Sequence, residues 1–95
     1  MKTVYKYPIA ATGYAKIEGL PEDSIVRSVD LDPMGQPCVW IELDTSKSGT
    51  IDKVIYGIGT GWSMDKGEFR YIGMLKEGAY IWHIYEKLPD YHPFY

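Results

Sequence analysis

The sequence YGIGTGW, residues 56–62, is the stretch that decides the fold. It begins as an apolar strand, and glycine then stands at every second position until Trp62. Two more strand-like runs follow, Phe69–Leu75 and Ala79–Glu86, and Gly78 between them can supply the positive φ of a tight turn. Short strands separated by glycine turns are typical of an all-β domain built from hairpins.

The same pattern of short runs and turn signals precedes this stretch. Five runs predict strands: Val4–Ile9, Tyr14–Ile17, Ser24–Leu31, Pro37–Asp44 and Thr50–Ile58. Gly19–Asp23 predicts a turn, and Asp32-Pro33-Met34-Gly35 has the proline and glycine positions of a type I turn. No segment carries the 3.6-residue apolar period of a long helix. The sequence therefore predicts an all-β fold, a small and mostly antiparallel β-sandwich or open barrel of six to seven short strands.

The type I turn joins two strands, so we expect residues 24–31 and 37–44 to form a β-hairpin. Because side chains alternate along a strand, each strand should turn one set of apolar residues toward the core. We expect these sets to be Val39, Ile41 and Leu43 in the second strand, and Ile25, Val29 and Leu31 in the first.

The chain has 95 residues, which is the size of one domain. We expect a single β domain over residues 1–87 and an extended tail over residues 88–95, which is rich in proline and aromatic residues. Cys38 is the only cysteine, so the chain forms no internal disulfide, as is usual in a reducing cytoplasm. The first residues lack the apolar segment of a signal peptide, and no run reaches the length of a membrane span.

The net charge of −3 is unevenly distributed. Residues 18–44 contain seven acidic side chains and a single basic one, Arg27. No basic stripe is present, so the sequence argues against binding of duplex nucleic acid. The acidic stretch is either a solvated face or a surface that docks on a basic protein.

The glycines of residues 57–61 allow two interpretations. Their spacing is not that of a dinucleotide-binding motif, so they can form a bulge or a tight bend, or let another backbone come close. Alternatively, bare backbone N–H groups meet an anionic or planar ligand, and an aromatic side chain stacks on it. The candidate residues for binding a ligand or partner are Gly59, Thr60, Gly61, Trp62, Tyr56, Arg70 and Trp82.

No set of residues predicts catalysis. His83 and His92, with one cysteine, make no metal-ligand pattern, and His83 is expected to be a core or interface residue. The chain has no nucleophile elbow. We therefore expect a protein that is not an enzyme and that has no catalytic residues, no metal and no cofactor.

Several short blocks in a fixed order carry a resemblance. They are MKTVYKYPI at residues 1–9, GQPCVW at 35–40, IGTG at 58–61, YIG at 71–73 and IWHIYE at 81–86. Through them the chain resembles a family of small tailed-phage proteins of unknown function. It differs from that family in having Trp62 where His is usual and Met74 where Thr is usual. The resemblance implies an accessory protein made in the host cytoplasm, and it supplies no catalytic or ligand residues.

The aromatic content suits a binding protein, since nine Tyr and three Trp are many for this length and both residues favour interfaces. The leading hypothesis is a protein-interaction module that acts on a host protein, in host takeover or anti-defence, as a homo-oligomer. One alternative is a sponge-like protein that sequesters a nucleotide signal of host defence. Another is a minor component of the virion.

Overall fold

Seven strands make up the fold in the computed structural model, which describes residues 1–89. They are β1 (Lys2–Pro8), β2 (Gly13–Pro21), β3 (Ile25–Leu31), β4 (Pro37–Asp44), β5 (Thr50–Gly59), β6 (Phe69–Glu77) and β7 (Tyr80–Lys87). Most of the predicted tail, residues 90–95, lies outside the described residues. Within residues 1–89 there is no helix of the length and apolar character needed to cross a membrane.

The strands form two antiparallel sheets. The three-stranded sheet has the order β1-β4-β3, and the four-stranded sheet has the order β2-β5-β7-β6. The all-β prediction is therefore confirmed, and of the two architectures it left open, the fold is the small β-sandwich.

The core consists of alternate side chains from the inner faces of both sheets. The three-stranded sheet contributes Val26, Val39, Ile41 and Leu43, and the four-stranded sheet contributes Ile17, Leu20, Ile55, Leu75 and Ile84. Each fully buried aliphatic side chain stabilises the fold by roughly 1.5–3 kcal/mol relative to an exposed one. A hydrogen bond also joins the sheets, since the Arg70 guanidinium donates to the Val26 carbonyl at 2.9 Å.

The predicted hairpin of β3 and β4 is confirmed. Gly35 has φ of 81°, which glycine adopts without strain, and its N–H donates to the Asp32 carbonyl at 2.8 Å. The prediction that Ile25 faces the core was wrong, because the register shifts between Val26 and Ser28. This bulge puts Val26 in the core and leaves Ile25 on the outer face of the sheet.

Strand β2 is longer than the predicted Tyr14–Ile17. The pairing with β5 shifts between Ile17 and Leu20, so the strand passes through a bulge and continues to Pro21. Leu20 is buried in the core. The predicted turn at residues 19–23 is therefore wrong in its first three residues, and the chain turns only at residues 22–23.

The link between β1 and β2 crosses from one sheet to the other at residues 9–12. Ile9 is buried, and its N–H donates to the Pro37 carbonyl at 2.9 Å. The backbone of Ala11 lies directly against the Cα of Gly57 on the inner face of β5. At this position the structural interpretation of the glycines is confirmed, because the missing side chain lets another backbone come close.

Candidate functional site

Two tryptophans meet at the end of β5. Gly59 pairs with Trp82 of β7, and the next residues turn back, with the Trp62 N–H donating to the Gly59 carbonyl at 3.1 Å. The Trp62 ring lies on Gly59, where a Cβ would be 2.8 Å from the ring atom Cε2. Its centroid is 5.5 Å from that of Trp82 in an edge-on contact, and Tyr80 stacks on Trp82 at 5.7 Å. We call Trp62, Tyr80 and Trp82 the Trp cluster.

Open grooves lie on both sides of Trp62, whose side chain is 58% exposed. One groove has a volume of about 430 Å³ and is bounded by residues 79–82, and the other has a volume of about 220 Å³ and is bounded by Met64 and His83. The Trp82 Nε1 atom is buried and donates to no acceptor within residues 1–89. A buried donor without an acceptor costs about 1–3 kcal/mol, so this atom favours any group that brings it an oxygen.

Five of the seven predicted site residues are at this place: Gly59, Thr60, Gly61, Trp62 and Trp82. Tyr56 is not, because its ring is buried between those of Tyr14 and Phe69. Arg70 lies farther along the sheet, opposite Glu86 of β7, and donates to that carboxylate at 2.8 Å.

Beside Trp62, the Thr60 hydroxyl and the Nε2 atom of His83 are 2.8 Å apart. A hydroxyl and an imidazole at this distance can also act as the nucleophile and the general base of a catalytic triad. A base of that kind is normally oriented by a third group, and within residues 1–89 no carboxylate bonds to His83. The same part of the chain has no cluster of ligands that would hold a metal ion. The contact with Thr60 fixes the imidazole beside Trp62.

The outer face of the four-stranded sheet carries a second aromatic group, which the sequence did not single out. Its rings are connected by centroid distances of 4.7–6.4 Å. They belong to Tyr14, Tyr56, Phe69, Tyr71, His83 and Tyr85, and we call this surface the aromatic face. Tyr71 and the neighbouring Met74 are each 50% exposed. The aromatic face therefore exposes the rings of Tyr14 and Tyr71 to solvent, whereas Phe69, His83 and Tyr85 are half-buried.

The loop at residues 63–67 is fixed to one side of the aromatic face. Tyr14 donates from its hydroxyl to Asp65 at 2.7 Å, and the Asp65 N–H donates to the Tyr56 hydroxyl at 3.3 Å. The hydrogen bond to Asp65 raises the pKa of Tyr14 to about 12, because it favours the protonated phenol. These bonds leave Tyr71 and Met74, on the other side of the face, uncovered by this loop.

The outer face of the three-stranded sheet has a different character, because ion pairs lie there beside two exposed aliphatic side chains, Val4 and Ile25. Glu42 forms ion pairs with Arg27 at 3.2 Å and with Lys2 at 3.6 Å. The hydrogen bond from Arg27 contributes most to lowering the pKa of Glu42 below its usual value. Lys6 and Asp32 make a further pair at 2.9 Å. Such a face is well solvated without a partner.

Alternate aromatic residues are the signal that could have identified the aromatic face. In β6 they are Phe69 and Tyr71, and in β7 they are His83 and Tyr85. Alternation shows that each pair shares a face. It does not show that β7 pairs with β5 on one side and with β6 on the other, which is what joins the pairs to Tyr56 in one sheet.

No curated protein and no solved structure gave a significant match. A family model, described as "Domain of unknown function (DUF7352)", matches residues 1–93. This match spans nearly the whole sequence, and the chain therefore belongs to the DUF7352 family.

Proposed function

We propose that the protein is a non-enzymatic interaction module that binds another protein through its aromatic face. In the setting implied by its resemblance to small tailed-phage proteins, the partner is a host protein and the module acts as a homo-oligomer. Host takeover or anti-defence is the role that follows from such binding.

The contrast between the two outer faces is the observation that supports this proposal. One face combines the ion pairs around Glu42 with two separate exposed aliphatic side chains, Val4 and Ile25, whereas the other exposes rings and a methionine. Contiguous exposed apolar surface is uncommon on monomeric proteins and marks interaction sites. Tyrosine and methionine are also enriched at interfaces. The aromatic face is broad and open, which suits a protein surface better than a small molecule.

Removing two exposed side chains, Tyr71 on the aromatic face and Met74 beside it, should weaken partner binding. We expect the double variant Tyr71→Ser/Met74→Ser to lose at least tenfold in affinity, because rings at an interface centre supply much of the binding energy. The measurement is quantitative capture of proteins from a bacterial lysate by the immobilised chain, followed by titration of each captured protein.

The matched control is Val4→Ser/Ile25→Ser, which removes side chains that are 51% and 39% exposed on the charged outer face. This variant should capture the same proteins as the wild type. Equal capture by both double variants would reject the aromatic face as the docking surface. Sedimentation of the purified chain tests the oligomer, and a monomer at every concentration would contradict that part.

A second candidate function is sequestration of a small planar ligand, such as a nucleotide, at the Trp cluster. It is supported by the groove beside Trp62 and by the buried Trp82 Nε1 atom without an acceptor. A ring stacked on Trp62 that brings an oxygen to Nε1 would satisfy this donor. The phosphate would find little positive charge, since Arg70 and Lys53 are both engaged by Glu86.

Substituting Trp62 separates this candidate from the first. We expect Trp62→Ala to abolish any quenching of tryptophan fluorescence by adenosine and guanosine monophosphates, which serve as probes. The melting temperature should change little, because the side chain is mostly exposed. Tyr71→Ser is the control and should keep the wild-type response. Absence of a response in the wild type, or the same affinity in Trp62→Ala, would exclude nucleotide binding at this cluster.

A further inference from the structure

Strand β1 is an open edge of the three-stranded sheet. It pairs with β4 along its whole length without a bulge, and within residues 1–89 no strand pairs with its other side. The other edges of the two sheets differ from it. The edges β3 and β6 meet each other, since Arg70 donates to the Val26 carbonyl, and the edge strand β2 is interrupted by a bulge. Strand β1 is therefore the regular edge at which a further strand can add.

Backbone hydrogen bonds beyond both ends of β1 show which of its N–H groups point away from β4. The Ile9 N–H donates to the Pro37 carbonyl, and the Thr45 N–H donates to the Met1 carbonyl. Both pairs continue the register of β1 and β4. Because hydrogen-bonded pairs alternate with pairs that lack hydrogen bonds, the odd-numbered residues of β1 bond to β4. The even-numbered residues therefore direct their backbone groups toward the open side.

These outward positions are occupied by Lys2, Val4, Lys6 and Pro8. Proline is tolerated at such a position, because its missing N–H costs no hydrogen bond to β4. Lysines on an edge strand ordinarily repel an added strand. Here each is countered within the chain, since Lys2 pairs with Glu42 at 3.6 Å and Lys6 pairs with Asp32 at 2.9 Å. Their charges are therefore a weak barrier to pairing.

Tyr5 supplies a second observation at the same edge. It lies on the same face of β1 as Tyr7, which packs against the core, and it pairs with the fully buried Ile41. Tyr5 is nevertheless 46% exposed. The inner face of this sheet thus ends at a ring that a strand added beside β1 would cover.

We propose that β1 pairs antiparallel with β1 of a second copy of this chain, with Tyr5 of one copy opposite Tyr5 of the other. This inference rests on the homo-oligomer of the proposed function and assigns its interface. A twofold axis at Tyr5 makes the contact the same for both copies, as in most homodimers. The aromatic face lies on the other sheet, so each copy keeps it for a partner protein.

The side chains of β1 favour this register over its neighbours. Val4 of one copy faces Lys6 of the other and Lys2 faces Pro8, so each outward N–H meets a carbonyl. The aliphatic stem of Lys6 can then cover Val4, which is 51% exposed. Registers centred on Val4 or on Lys6 place lysines opposite each other, which is unfavourable. Registers centred nearer either end of β1 pair fewer residues.

The variant Val4→Pro tests the interface, because it removes an outward N–H and puts the proline ring where the second strand lies. We expect the wild type to dimerise in sedimentation experiments, and the dissociation constant to rise at least tenfold in Val4→Pro. The melting temperature of the monomer should change little, since this N–H makes no bond to β4. The matched control is Val4→Ser, which shortens the same side chain, keeps the N–H and should dimerise like the wild type.

Amide hydrogen exchange of the wild type locates the interface without a variant, and it decides alone if Val4→Pro fails to fold. The amides of Val4 and Lys6 should exchange at least tenfold more slowly in the dimer than in the diluted monomer. The Tyr5 amide already bonds to β4 and should change much less. A dimer that leaves Val4 and Lys6 unprotected, or that persists unchanged in Val4→Pro, would overturn the β1 interface but not the homo-oligomer. A monomer at every concentration would contradict the homo-oligomer itself and this interface with it.

Discussion

The variant Gly57→Ala is expected to lose more than about 3 kcal/mol of the free energy of unfolding, which is a large part of the stability typical of a small domain. An added Cβ would collide with the carbonyl oxygen of Ala11 and lie 2.8 Å from its carbonyl carbon. Both are backbone atoms of the link between the sheets. This link has little freedom to move, because Ile9 on one side is buried and Gly13 on the other pairs with Gly57 itself.

The matched control is Gly59→Ala, two residues along the same strand and on the same face. There the added Cβ would meet the Trp62 ring, which belongs to a side chain that is mostly exposed and can move away. We expect a loss of only about 1 kcal/mol, with a change in tryptophan emission. Urea unfolding of both variants gives the comparison, and equal losses would show that the approach of Ala11 is unimportant.

These glycines show what the sequence could predict. Their alternate spacing indicated a close approach or a bend, and Gly57 provides the first of these. The spacing before Trp62 also located the Trp cluster, because a strand followed at once by glycines must turn near its own last residues. Arg70 was misplaced because the sequence does not show its partner, the carboxylate of Glu86, sixteen residues away.

The strand faces were predictable only where the alternation is regular. Strand β4 has no extra residue in its pairing with either neighbour, so Val39, Ile41 and Leu43 all face the core as expected. The bulge near Arg27 in β3 reverses the alternation of inward and outward side chains. The bulge before Leu20 lets β2 continue beyond its predicted end. Sheet order was not predictable, because pairing between distant strands depends on how both faces pack. The aromatic face depends on that order, since its rings come from all four strands of one sheet.

The second large effect is expected from Glu86→Ala, which should lower the free energy of unfolding by about 3 kcal/mol at pH 7. The Glu86 side chain is 6% exposed and accepts from Arg70 at 2.8 Å and from Lys53 at 3.0 Å. Its removal leaves two cations at the sheet boundary without their counter-charge. Arg70 also donates to the Val26 carbonyl in the other sheet, so loss of the Glu86 carboxylate weakens this contact between the sheets.

Burial alone would raise the pKa of Glu86, but hydrogen bonds from Arg70 and Lys53 outweigh it and hold the pKa below its usual value. A carboxylate with a lowered folded-state pKa stabilises the fold above its unfolded pKa of about 4.3 and loses this contribution as the pH falls further. The difference in unfolding free energy between wild type and Glu86→Ala should therefore shrink in acid, and urea unfolding at pH 7 and pH 3 would measure this.

The matched control is Glu42→Ala. Glu42 also binds two cations, but its side chain is 24% exposed. Because water already screens those ion pairs, Glu42→Ala should lose much less unfolding free energy than Glu86→Ala. Equal losses at pH 7 would mean that the burial of Glu86 adds nothing to the strength of its ion pairs.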